Sequence, residues 1–327
     1  MGTKNNLDIN SQLAHKFYYN LYLFRRFEEV VAKFYRSGKI AGFCHLYIGQ
    51  EAVVTGIDHF MTKNDSVITS YRDHIHALLY GGNIKSVLAE LCGKAEGMIG
   101  AKGGSMHFFN QEHKFYGGQA IVGTTVPLGA GLAFAHKYNN DGGVSVAYIG
   151  DGAVLQGQVA ETFNMASLWN LPLIIVVENN HYAMGTSVKR SHANKDISLL
   201  GVPYNIKSIN VNGMDLISVL NSANEAFNHV RSNKGPIMLN VETYRYRGHS
   251  MSDPAKYRSR EEVDLFREKN DPILNFANYV TQKNLLTNEQ IKTIQNDIEA
   301  QLQEAEEYIK TTQEPQSEEL YTKVYKD

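Results

Sequence analysis

Apolar side chains recur along residues 11–37 at steps of three, four or seven: Leu13, Phe17, Leu21, Phe24, Val31 and Phe34. That spacing predicts a long amphipathic helix, capped by Ser11 and ended by Gly38. His45 to Ala52 opens a second helical stretch. The period then shortens. Val67 to Ser70 reads as a short strand that runs out into Tyr71-Arg72-Asp73-His74, and the runs Val144–Ile149 and Leu173–Val177 read as buried strands. Ile206–Val211 and Ile237–Val241 read as two further strands, the last entered through Gly235-Pro236. Between the strands, Leu128–Tyr138 reads as a helix of small residues, and the segment from Ala153 also reads as helical. Asp215–Arg231 sets Leu216, Val219, Leu220, Ala223, Phe227 and Val230 on one side of a helix. Met184 to Ala193 is a polar loop. The tail is helical, with Thr287 and Gln290 spaced as a capping box and a stripe at Ile291, Ile294, Ile298, Leu302, Ala305 and Ile309. Strands alternating with helices predict an α/β fold with a mainly parallel sheet flanked by helices. The expected division is an N-terminal helical extension over 1–40, an α/β domain over 41–265 and a C-terminal helical region over 266–327.

Composition narrows the class. The 327 residues are 43% hydrophobic, enough for a large core, and the net charge of −2 gives no reason to expect nucleic acid or an anionic membrane as partner. Residues 1–10 lack the apolar region of a secretory signal, and no run of about 18 apolar residues predicts a membrane span. Cys44 and Cys92 lie in apolar segments without metal-ligand spacing. They read as core thiols in a reducing, cytoplasmic compartment.

The chemistry gathers at strand ends. One strand delivers Gly150-Asp151-Gly152 and the next delivers Asn179-Asn180, with 29 positions from Asp151 to Asn180 (180 − 151). In a parallel sheet both clusters reach the carboxyl edge, where ligands bind. Gly-Asp-Gly alone is an ordinary tight turn. Paired with two asparagines past the next strand, it offers hard oxygen donors that suit Mg²⁺, together with backbone amides open to a diphosphate. Arg72 suits bidentate phosphate contact and Tyr71 adds a hydroxyl. Glycines crowd residues 93–131, which predicts close backbone approach to a ligand. Gly49-Gln50 places a polar group near a cleft, and His249 stands between glycine and serine beyond the last strand. A dinucleotide-binding loop would need a third glycine where Leu155 stands.

Taken together, Gly49-Gln-Glu-Ala52, Thr69-Ser-Tyr-Arg72, Lys102-Gly-Gly-Ser-Met-His107, Phe115-Tyr-Gly-Gly118, Ile121-Val-Gly123, Gly150-Asp-Gly152, Glu178-Asn-Asn180, Met184-Gly-Thr-Ser187 and Gly248-His-Ser-Met-Ser-Asp-Pro254 resemble the alpha subunits of thiamine-dependent 2-oxoacid dehydrogenases. The likeness is nearest to the two-subunit pyruvate dehydrogenase decarboxylating component and spans about Arg25 to Arg260. The resemblance implies a thiamine diphosphate-binding fold. It implies Asp151, Asn180 and the Tyr182 carbonyl as Mg²⁺ ligands, and Tyr71, Arg72, Gly152, Ala153 and His249 at the diphosphate. Gln50 would lie near that end, the Ala120 and Val122 backbones would meet the aminopyrimidine, and His74 and His249 would line the reacting carbon. It further implies oxidative decarboxylation of pyruvate with reductive acetylation of a lipoyl group on an acyltransferase. A beta subunit would supply the carboxylate that activates the cofactor, in an assembly of two alpha and two beta chains. Acetoin dehydrogenase and the branched-chain 2-oxoacid enzyme are the nearest alternatives. A non-catalytic paralogue would be expected to lack Asp151, Asn180 or His249, and all three are present. The sequence departs from the family pattern at Ala120, at Thr124-Thr125 and at Ile75. Tyr244 to Arg260 is expected to be mobile until ligand orders it, with Arg245 or Arg247 then finding anionic partners and forming a basic rim for an acidic lipoyl domain. Ser250 matches a position that kinases modify in some relatives.

Overall fold

A computed structural model describes residues 7–322; residues 1–6 and 323–327, which belong to the expected terminal regions, lie outside the described part. The chain runs through α1 (Ser11–Arg36), α2 (Glu51–Asp58), β1 (Ser66–Ser70), α3 (His74–Leu79), α4 (Ile84–Leu91), β2 (Phe115–Gln119), α5 (Thr125–Asn139), β3 (Ser145–Gly150), α6 (Gly157–Leu168) and β4 (Leu173–Asn179). A small hairpin of β5 (Tyr182–Ala183) and β6 (Thr186–Ser187) leads to the single turn α7 (Val188–Ser191). Then come β7 (Lys207–Asn212), α8 (Leu216–Arg231), β8 (Ile237–Glu242), α9 (Arg260–Asn270), α10 (Pro272–Gln282) and α11 (Asn288–Ile309).

Six strands form one parallel sheet in the order β2-β1-β3-β4-β8-β7. The α/β class read from the alternation is therefore the observed one. The central strands β3 and β4 are buried almost throughout, which is why their sequences are near-continuous apolar runs rather than alternating ones. One core cluster joins one face of the sheet to α1, α2, α8, α10 and α11; a second joins the other face to α5 and α6. Helix α5 approaches the sheet closely because Gly129 has no Cβ: one built there would meet the Ala147 Cβ at 2.7 Å.

Local signals explain most boundaries and correct a few. Asn10, not Ser11, caps α1, its side chain accepting from the Leu13 amide at 2.9 Å. The Thr287–Gln290 capping box forms at the start of α11, and the predicted stripe is buried from Ile294 to Ile309. The helix expected from Ala153 is split into a 3-10 turn over Ala153–Leu155 and α6, because Gln156 is extended. Strand β2 escaped the sequence reading. Its glycines masked a buried edge strand, and its outer side is covered by the chain at Phe108–Asn110.

Three polar clusters fasten this frame. Arg25 on α1 bonds Glu51 on α2 at 2.6 Å and Asp271 at the head of α10 at 2.9 Å, all buried. Glu90 on α4 gathers the glycine-rich loop. One carboxylate oxygen accepts from the Ile99 and Ala101 amides (3.0 and 2.8 Å), the other from Gly103 and Gly104 (2.9 and 3.2 Å). At the amino edge of the sheet Ser66, His136 and Asp141 form a serine–histidine–aspartate series (2.7 and 2.9 Å). Ser66 and His136 are sealed from solvent, so the series ties the end of α5 to β1 rather than serving a substrate.

Candidate active site

The sheet order reverses at β1: the chain passes from β1 outward to β2, then returns to the other side of β1 for β3. Crevices in open parallel sheets form at such switch points, outside the carboxyl ends of the strands. A cleft of 710 Å³ opens there. It is lined from β1 by Ser70, Tyr71 and Arg72, from β3 by Gly150, Asp151, Gly152 and Ala153, and from β4 by Glu178, Asn180 and Tyr182. The turn after β2 adds Ala120 and Val122, and the segment after β8 adds Arg245, His249 and Ser250. Ten of the twelve residues singled out in the sequence therefore converge: Tyr71, Arg72, Ala120, Val122, Asp151, Gly152, Ala153, Asn180, Tyr182 and His249.

The other two lie behind the wall. Gln50 is fully buried, and its Oε1 accepts from Asn180 Nδ2 at 3.0 Å, so it holds that side chain from beneath. His74 opens α3 and does not line the cleft. Its Nδ1 meets Glu28 at 2.9 Å and its Nε2 meets the Ser105 hydroxyl at 2.8 Å. Burial disfavours the charged imidazole, but Glu28 more than offsets this and raises its pKa above the ordinary histidine value. The expected place of His74 beside the reacting carbon is therefore corrected: a helix turns its side chain into the core. Ile75 is likewise a core residue, not part of the cleft.

His45 stands where a second cleft imidazole was expected. It lies in an irregular segment before α2, with no periodicity to mark it, and its ring packs 4.4 Å from Tyr71 and 5.0 Å from His249, centroid to centroid. Burial, then the nearby Arg72, lowers the pKa of both histidines, His45 to about 2 and His249 to about 4. Both rings are neutral near pH 7, and His45 Nδ1 has no partner. Burial, then Arg245, lowers Arg72 to about 10, so it remains charged; it donates to the Leu46 and His249 carbonyls at 2.5 and 2.9 Å.

The oxygen donors lie together. A single guanidinium nitrogen of Arg245, Nη1, donates to Asn180 Oδ1 and to the Tyr182 carbonyl, each at 3.1 Å, so both oxygens already face one cationic centre. Asp151 Oδ2 is buried without a partner, and burial raises that carboxyl to about 6. Among the described residues no group of three or more His, Cys, Asp or Glu is placed to hold a metal ion; Asp151, Asn180 and Tyr182 offer one carboxylate, one amide and one carbonyl oxygen. Hard oxygens of this kind fit a small divalent cation. Gly152 is required here: a Cβ would meet that of Ala183 at 2.2 Å. Burial also raises Glu178, to about 7, and its carboxylate takes the Tyr47 hydroxyl.

Arg245 itself is a correction. The sequence reading placed it in a mobile rim, waiting for an anion. It is instead buried, and it also bonds the Met184 carbonyl at 3.2 Å and the Tyr257 hydroxyl at 2.9 Å. Tyr257 and the His249 amide in turn bond Asp253, at 2.8 and 2.6 Å, so the segment after β8 is laced to the wall of the cleft.

Asp73, between Arg72 and His74, has both carboxylate oxygens buried without partners, and burial raises it to about 8. A carboxyl whose folded value exceeds its unfolded one binds its proton more tightly when folded. Stability is therefore fully present below about pH 4 and is lost as pH rises towards 8. Asp73→Asn should raise the melting temperature by roughly 5 °C at pH 8 and by little at pH 4. A pH-independent difference between the two proteins in calorimetry would refute this.

Comparison with known proteins agrees with this arrangement. The family model described as "Dehydrogenase E1 component" matches residues 19–318, which include every residue of the cleft named above. The chain is 52% identical over 310 residues to the "Pyruvate dehydrogenase E1 component subunit alpha" of Zymomonas mobilis, covering 94% of this chain and 87% of that one. It is 50% identical over 309 residues to the protein of the same name from Rhizobium meliloti (94% and 89%). It is 46% identical over 310 residues to the mitochondrial one of Dictyostelium discoideum (94% and 81%). With a cleft at the switch point, its oxygen donors at neighbouring strand ends and a match along most of its length, the chain belongs to the dehydrogenase E1 component family.

Proposed function

We propose that this chain is the alpha subunit of a thiamine diphosphate-dependent pyruvate dehydrogenase, acting in the cytoplasm on pyruvate and on a lipoyl group carried by an acyltransferase. The observation that carries the reading is the convergence of Asp151, Asn180 and the Tyr182 carbonyl beside Arg72 and the Gly152–Ala153 backbone, in a chain about half identical to relatives of that name. Thiamine diphosphate, when bound, supplies the electron sink that decarboxylation of a 2-oxoacid requires and that no side chain provides. The chain's own contribution is position and electrostatics. Arg72 and Tyr71 would meet the diphosphate. Asp151, Asn180 and the Tyr182 carbonyl would hold Mg²⁺, the last two through the oxygens that Arg245 Nη1 now faces. His45 and His249, neutral at working pH, accept or return a proton at their ring nitrogens.

The surface supports a beta subunit. On α5 and α6 the side chains of Leu128, Phe134, Tyr138, Met165, Leu168 and Trp169 are exposed, with Phe134 packed on both Tyr138 and Trp169. An apolar face of this kind suits a protein partner. The complete enzyme would hold two alpha and two beta chains. The basic segment at Arg247, Arg258 and Arg260 would meet an acidic lipoyl domain. No helix of the described residues is long and apolar enough to cross a membrane.

Reconstitution tests the reading. The purified chain alone is expected to show no pyruvate oxidation with a dye acceptor, whereas the alpha–beta pair turns over pyruvate in preference to acetoin or a branched 2-oxoacid. Robust turnover by the isolated chain would refute the partner requirement, and a preference for acetoin would reassign the substrate.

A further inference from the structure

The turn that carries Asn180 and Tyr182 is held from an unexpected direction. His181, between them, has φ of 69°, in the left-handed region that residues other than glycine seldom occupy. Its amide donates to Asn179 Oδ1 at 3.2 Å, and that bond closes the turn. Asn179 is buried at the end of β4, and its Nδ2 donates to Asn240 Oδ1 on the neighbouring strand β8 at 3.3 Å. Asn240, also buried, donates through Nδ2 to Asn210 Oδ1 at 2.8 Å; the two are register partners across β8 and β7. Asn210 Nδ2 donates to the Ser198 hydroxyl at 3.2 Å, and that hydroxyl donates to Asp196 Oδ1 at 2.6 Å.

Each bond in this series fixes the direction of the next. An ionised carboxylate only accepts. The hydroxyl and amide of Ser198 lower the Asp196 pKa, so Asp196 stays ionised and commits the Ser198 proton. The hydroxyl then offers only lone pairs, which turns the Asn210 amide nitrogen outward and its oxygen inward. That oxygen draws the Asn240 nitrogen, which leaves the Asn240 oxygen facing Asn179 and the Asn179 oxygen facing the His181 amide. Reversing any one amide would set oxygen against oxygen or nitrogen against nitrogen. We propose that Asp196, Ser198, Asn210 and Asn240 form a directional relay across the edge of the sheet that orients Asn179 and holds the 180–182 turn in its cation-binding shape. They are positioning residues for a site that none of them touches. The inference rests on the metal role given above to Asn180 and Tyr182.

The test is a Mn²⁺ titration followed by electron paramagnetic resonance, using the alpha–beta pair with thiamine diphosphate, with melting temperature measured in parallel. Ser198→Ala removes the hydroxyl that takes the Asn210 nitrogen and leaves that amide only its contact with Asp196. It should weaken Mn²⁺ binding roughly fivefold with a near-normal melting temperature, about the net worth of one hydrogen bond. Ser198→Thr, which keeps the hydroxyl, should restore the affinity. Asn240→Leu should weaken binding further; if that variant does not assemble, the Ser198 pair decides. Normal Mn²⁺ affinity in Ser198→Ala and Asn240→Leu, alongside lost affinity in Asn180→Ala, overturns the relay and leaves the metal site standing. Normal affinity in Asn180→Ala as well overturns the metal site and the relay together. A lowered melting temperature with unchanged Mn²⁺ affinity marks a packing role only and also overturns the proposal.

Discussion

Asp151→Ala is expected to raise the dissociation constant for thiamine diphosphate with Mg²⁺ by about a hundredfold or more in the alpha–beta pair, measured by isothermal titration. Loss of a partner that merely orients a metal ligand already costs about 10- to 100-fold, and Asp151 offers its oxygen directly. The fold should survive. Asp151 is buried with Oδ2 unpartnered, and burial raises its carboxyl to about 6. Its charged form therefore costs the ligand-free protein stability above the unfolded value, and alanine relieves that cost. The ligand-free melting temperature at pH 7.5 should be equal or slightly higher, so lost binding cannot be ascribed to unfolding. Asn180→Ala should weaken binding too, with a modest drop in melting temperature because Gln50 and Arg245 each lose a buried partner. Affinity within a factor of about three of the parent in both variants would remove these residues from the metal site.

Glu90→Ala should cost about 3 kcal/mol of folding stability, because four amides lose their acceptor and each buried donor left unpaired costs on the order of 1 kcal/mol after partial resolvation. The damage should spread along the loop. Ile99, Ala101, Gly103 and Gly104 are wrapped round this one carboxylate, and the chain continues into Ser105, which meets His74, and Met106, which lines the cleft. Trypsin should then cut after Lys102 faster than in the parent. Glu90→Gln keeps one acceptor but turns two donors towards donors, so it should fall between the two. Denaturant unfolding of Glu90→Ala within about 0.5 kcal/mol of the parent would show that the loop holds itself.

Strands whose residues are buried on both faces were legible because continuous apolar runs have few other uses: β3 and β4 lie where Val144–Ile149 and Leu173–Val177 placed them. Long helices were legible through periodicity and caps, as at α8, where Asp215 accepts from the Ile217 amide. The convergence of ten site residues followed from those strands, since strand ends of a parallel sheet share an edge. What stayed hidden was direction and partnership. Nothing in the sequence says that the first turn of α3 sends His74 inward to Glu28, or that His45, in a segment with no period, stands beside Tyr71. Arg245 read as a rim charge because charged residues are usually solvated; its burial depends on acceptors 61 to 65 positions earlier. The asparagine series was invisible for the same reason: Asn179, Asn210 and Asn240 lie on three strands, and only the sheet makes them neighbours.

The apolar face on α5 and α6 bears on how a cell handles the protein. Helix α5 carries Leu128, Phe134 and Tyr138 outward as well as a buried side, so much of its outer surface is apolar when the chain is alone. Copies made in excess of whatever covers that face would collide through it, and their rate of loss would climb with concentration, by self-association or by capture in quality control. The amount of working enzyme would then follow the scarcer chain, and extra copies of this gene alone would yield aggregate rather than activity. Balanced synthesis of the two chains is in this sense a demand written on the outside of two helices.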